Sequence, residues 1–98
     1  MNNIAGTQVA KIVELTGVDQ VIAGAKVFMG IAAGDEGAGA VRMHIYHGSS
    51  TAGDHIGGLK LLAEGVDQFW YGPNGVACPN GIFIKVYSGS PMGSVFYK

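Results

Sequence analysis

Three histidines, one cysteine and seven acidic residues are the side chains of this 98-residue chain with the types to run chemistry. The histidines are His44, His47 and His55. On an extended strand His44 and His47 project from opposite faces, so the two cannot chelate one ion locally. His55 lies in a separate segment, beside Asp54. A zinc centre needs four converging ligands, or three with an open position, so surface or loop histidines are the reading and no metal site is expected. Cys78 would need a positioned base and an electropositive setting to act as a nucleophile. It stands between Ala77 and Pro79 in an apolar stretch and reads as buried and inert. Asp35, Glu36, Asp54, Glu64 and Asp67 fall in Gly-rich loops or near turns, whereas glycosidase chemistry needs two carboxylates at a fixed separation in a cleft. Gly34, Gly37 and Gly39 lack the Lys-Ser or Lys-Thr pair and the helix that a phosphate loop requires. The chain is therefore not read as an enzyme, and no catalytic residue or cofactor is assigned.

The cluster that stands out is Phe69-Trp70-Tyr71. Three consecutive aromatics on a strand send at least one side chain outward if the other face is core. An outward Trp or Tyr anchors a protein interface or stacks on a sugar. In the competing reading Phe69 and Tyr71 are core and Trp70 caps a sheet edge. Both readings stand at this point. The interface candidates are Ile4, Phe69, Trp70, Tyr71 and Tyr97.

Composition narrows the classes of partner. Only 13% of residues are charged, 48% are hydrophobic and the net charge is −1. The six cations, Lys11, Lys26, Arg42, Lys60, Lys85 and Lys98, are scattered. Nucleic-acid binding needs clustered cations to displace counterions, so none is expected. No apolar run approaches the roughly 20 residues that span a bilayer, and no membrane partner is expected. No basic region followed by an apolar stretch opens the chain, and one cysteine cannot form an internal disulfide. Folding in a reducing cytoplasm is the expectation. So little charge on so small a domain has two explanations: dilution of the surface by 17 glycines, or cover by another chain. A homo-oligomer, dimer or trimer, or docking on a larger assembly is expected.

The elements that position these residues are short strands. Val41-Arg42-Met43-His44-Ile45-Tyr46-His47 alternates, and so does Ile82-Phe83-Ile84-Lys85-Val86-Tyr87. Period-two alternation bounded by Gly, Pro, Asn and Ser marks half-buried antiparallel strands. Residues 1–7 read as a loose N-terminal arm and 8–98 as a single domain. Gln8 to Leu15 suits a strand or a helix, with β-branched content favouring the strand. Further strands are expected at 18–22, 25–32, 40–47, 56–63, 66–71, 82–88 and 94–98. The pair 25–32 and 40–47 is expected as a hairpin, and so is the pair 82–88 and 94–98. Gly30 inside its strand marks a bulge or a close contact. Pro73-Asn74-Gly75 and Pro79-Asn80-Gly81 repeat one turn signature, in which Pro pre-sets φ and Gly accepts the positive φ that follows. Seven or eight strands and no clear helix give an all-β class: an antiparallel two-layer β-sandwich, or a jelly-roll-like fold.

The order of these motifs resembles a family of small β-sandwich virion proteins of tailed bacteriophages. The resemblance runs through Val41–Gly53, Gly72-Pro73-Asn74-Gly75-Val76, Pro79–Val86 and Ser94-Val95-Phe96-Tyr97, and covers roughly Ala25 to Lys98. Where the family's usual aspartate follows the Tyr-bearing strand, this chain carries His47. The resemblance implies a structural virion protein, a capsid decoration (cement) protein that binds the outer capsid lattice and stabilises it. Its partners would be the major capsid protein or another virion protein, and its location the virion, after synthesis in the host cytoplasm. The alternative is a tail or fibre accessory module that binds host-surface glycan through Trp70 and Tyr71.

Overall fold

A computed structural model describes residues 10–35 and 39–98. The expected arm at 1–7, with the interface candidate Ile4, lies outside the described residues. Nine strands form and no helix does, among the described residues: β1 (Lys11–Glu14), β2 (Gln20–Ile22), β3 (Val27–Asp35), β4 (Val41–His47), β5 (His55–Leu61), β6 (Val66–Trp70), β7 (Val76–Ala77), β8 (Ile82–Ser88) and β9 (Pro91–Tyr97). They make two antiparallel sheets. Sheet A has the order β1-β9-β3-β6, with the two-residue β7 also on β3, and sheet B has the order β2-β8-β4-β5. The described part of Gln8–Leu15 is a strand, as its β-branched residues favoured.

The pairs β1–β9, β2–β8, β3–β6 and β4–β5 nest inside one another. The chain is thus one long hairpin, folded back between β4 and β5 and wrapped into two layers. The β3–β9 and β4–β8 pairings close it. Nested pairing of eight strands over two sheets is a jelly roll. This topology corrects two local expectations. β3 and β4 are not a hairpin, nor are β8 and β9, because each of these connections crosses from one sheet to the other. Gly-rich linkers satisfy a crossing as readily as a tight turn, so composition alone did not separate them.

Alternation places the core. Val41, Met43 and Ile45 of β4 and Ile82 and Ile84 of β8 point inward from sheet B, and Phe28, Ile31 and Val95 point inward from sheet A. Each is almost wholly buried, and burying such a side chain contributes about 1.5–3 kcal/mol. Among the described residues no polar or charged residue is buried. The inward sequence Phe28, Ile31, Ala33 breaks period two because β3 bulges against β9 between Phe28 and Gly30. The two Pro-Asn-Gly turns form as expected. Gly75 donates to the Gly72 carbonyl at 3.1 Å and Gly81 to the Cys78 carbonyl at 3.0 Å, with φ of 52° and 100° at the two glycines.

Candidate functional site

Among the described residues the interior is apolar, and the polar and exposed aromatic side chains gather on the outer faces of the two sheets. Strand register builds the outer face of sheet A row by row. Ile12, Phe96, Gly30 and Trp70 form one row, Glu14, Ser94, Ala32 and Gln68 the next, and Met92, Gly34 and Val66 a third. Glu14 is the single charged residue in these rows. Ile12, Val66, Trp70 and Met92 are exposed at 63%, 82%, 57% and 47%. Trp70 meets the Phe96 ring edge-on at 6.0 Å. Its indole lies over Gly30, where a Cβ would stand 2.7 Å from Cε3. A shallow depression beside it is lined by Gln68, Trp70 and Phe96. Exposed apolar side chains in the outer rows, Ile12, Trp70, Met92 and Val66, flank a middle row with three polar residues, Glu14, Ser94 and Gln68.

The aromatic cluster splits across the sheet. Phe69 and Tyr71 turn toward the other layer, packing on Phe28 at 5.9 and 5.8 Å. The Tyr71 hydroxyl donates to the Ile56 carbonyl at 3.3 Å. Tyr97 also packs against the core. Trp70 projects from the opposite face of the sheet, and Tyr71, though packed on Phe28, remains 45% exposed. A joint Trp70–Tyr71 sugar platform is therefore not formed.

The outer face of sheet B differs in chemistry. Arg42, His44 and Tyr46 of β4, Phe83, Lys85 and Tyr87 of β8, and His55 of β5 gather there. His55 Nε2 and His44 Nδ1 are 2.9 Å apart. The Tyr46 and Tyr87 hydroxyls are 3.2 Å apart. The His44 ring stacks on Tyr46 and meets Tyr87 edge-on at 5.2 Å, and His55 meets Tyr46 edge-on at 5.3 Å. The Arg42 guanidinium sits 4.9 Å from the Tyr87 ring centre, a cation–π contact. Desolvation in this cluster, and then the cationic charge of His55 and Arg42, hold the His44 imidazole below its ordinary range. The hydrogen bond to Tyr87, with desolvation, raises the Tyr46 phenol. Asp19 closes the edge of the cluster. It accepts the Val86 amide at 2.9 Å and pairs with Lys85 at 3.0 Å. Those two bonds lower its carboxyl.

The sequence set His55 apart from His44, and the fold joins them. The register of the β4–β5 hairpin places His55 opposite Tyr46 and Gly58 opposite His44. The signal was the polar loop 48–54 between two alternating runs, which fixes that register. His47 faces away, as alternation required, and accepts the Asn80 amide at 3.2 Å. Cys78 is buried, and desolvation raises its thiol. Among the described residues no three His, Cys, Asp or Glu converge on one point, and no helix is long and apolar enough to cross a membrane. No protein-family model, curated protein or solved structure matches the chain.

Proposed function

We propose that this protein is a structural docking module, a capsid decoration protein whose sheet A outer face lies against the capsid lattice or a sister copy. The observation that carries this reading is the row Ile12–Phe96–Gly30–Trp70, continued by Met92 and Val66, with Glu14 its one charge. Burial of such a face contributes about 25 cal/mol per Å² before association costs. Many copies on one shell would add their weak contacts by avidity. Jelly rolls occur in viral capsid domains and in lectins, an analogy of fold that supports the setting without assigning the activity. The virion setting itself rests on the resemblance of residues 25–98 to phage proteins.

The test is the mass of the purified chain by light scattering behind a sizing column, with and without shells of its phage. Association of the wild type, and its loss in Trp70→Asp, supports the reading. A chain that stays monomeric and leaves the shells bare overturns it.

The second reading, a tail or fibre accessory that binds glycan, is favoured by one observation: Trp70 lies half-exposed beside Gln68 in a shallow depression. A ring to stack on a sugar and an amide to bond its hydroxyls are the minimal set. Saturation transfer from the protein to host-surface oligosaccharides would support this reading, and its loss in Trp70→Ala would place the sugar.

A further inference from the structure

We propose that His44 and His55 form a two-histidine site for a divalent copper or nickel ion on the outer face of sheet B. Nothing in the docking reading uses these residues, so the two proposals stand or fall separately.

Distance carries the argument first. Two imidazole nitrogens, each about 2.0–2.1 Å from an ion and 90° apart, stand about 2.9 Å from each other; a tetrahedral ion spreads them to about 3.3 Å. His44 Nδ1 and His55 Nε2 are 2.9 Å apart. That matches adjacent positions of a square-planar or tetragonal ion, the geometry of Cu(II) and Ni(II). Imidazole suits both ions, and the Irving–Williams order places copper first.

The surroundings hold the rings in place. His44 and His55 stand on neighbouring strands whose register is fixed by the ladder from Val41–Leu61 to Tyr46–His55. The His44 ring lies over Gly58, where a Cβ would come within 3.2 Å of Cδ2. Tyr46 and Tyr87 fence the rings on other sides. His55 is exposed, so water can fill the remaining positions on the ion.

Loading requires both facing nitrogens to present lone pairs to the ion. A hydrogen on His44 Nδ1 or His55 Nε2 moves to that ring's far nitrogen, His44 Nε2 or His55 Nδ1, and a doubly protonated ring releases one proton to solvent as the ion enters. Arg42 and Lys85 are the cations nearby. Arg42 lies over the Tyr87 ring and Lys85 pairs with Asp19. Their charge limits affinity and, with two nitrogen ligands, disfavours Mg²⁺ and Ca²⁺, which require oxygens.

The experiment is titration of the full, untagged chain with copper(II) chloride in a non-chelating buffer, read by calorimetry and electron paramagnetic resonance. The expected result is one equivalent bound, with a tetragonal spectrum split by two nitrogens. His44→Ala and His55→Ala each lose that signal while their thermal unfolding stays that of the folded protein. His47→Ala, altered on the other side of β4, keeps it. Absence of binding by the wild type, or unchanged binding in the His44→Ala/His55→Ala double variant, overturns the proposal.

Discussion

Trp70 and Gly30 face each other across β6 and β3, and the indole lies where a side chain at position 30 would stand. The absence of a Cβ lets the ring settle flat on the sheet beside Phe96 while more than half of the residue stays exposed. A Cβ at position 30 would also stand 2.7 Å from the Phe69 carbonyl oxygen. Backbone on one side and the indole on the other leave little room to yield. Gly30→Ala is therefore expected to destabilise the fold by about 1–3 kcal/mol, the usual cost of overpacking. Urea unfolding followed by tryptophan fluorescence measures both the loss and the displaced indole.

Phe28 is the largest wholly buried side chain and the point where sheet A meets Phe69 and Tyr71. Phe28→Ala removes a ring that its neighbours cannot replace. The expected cost is about 3–5 kcal/mol, a large share of the 5–15 kcal/mol or so that holds a domain together. Thermal unfolding would show a markedly lower midpoint, or a chain that no longer folds.

Asp19 ties the 15–19 turn to β8 through the Val86 amide and Lys85. These bonds, the Val86 amide first, hold its carboxyl in the folded state below the ordinary aspartate range. A depressed carboxyl contributes stability above the unfolded pKa and loses it as pH falls through the folded one. Asp19→Asn is thus expected to be less stable than wild type at neutral pH. The gap should close as pH drops below about 4. Denaturation midpoints of both proteins between pH 7 and pH 2 check the sign.

Cys78 is fully buried and its thiol is raised by desolvation. The thiolate is the reactive form, so the native protein should resist a disulfide reagent at neutral pH. Reaction should become rapid only in denaturant. Fast labelling of the native chain would show that the 76–78 segment opens.

Much of the fold was legible because alternation reports burial directly. β4 and β8 carry their inward residues at every second position, and the two Pro-Asn-Gly turns name their own geometry. What could not be read was long-range pairing. Gly-rich composition after β3 and after β8 suits hairpin turns, yet β4 and β9 lie in the sheet opposite the strand before them, a choice made by packing of the two layers. The bulge between Phe28 and Gly30 puts Phe28 and Ile31 on the same inward face of β3, which strict alternation would have placed on opposite faces. Gly30 signalled both the bulge and the close contact, but not the indole that makes the contact. Of the aromatic trio, Phe69 packs on the core, Tyr71 touches Phe28 but stays 45% exposed, and Trp70 stands on an open face rather than only capping an edge. The His44–His55 pair was missed because eleven residues of chain separate the two, and only the hairpin register closes that gap.

We propose that this protein docks through the outer face of sheet A. Co-sedimentation with purified phage shells, comparing wild type with Trp70→Ser, tests this proposal. The exposed ring contributes no more than about 1 kcal/mol through its cross-strand contact, so the variant should fold. Wild type is expected to pellet with the shells and the folded variant to stay in solution. Equal pelleting of the two, or no pelleting of either, would contradict it.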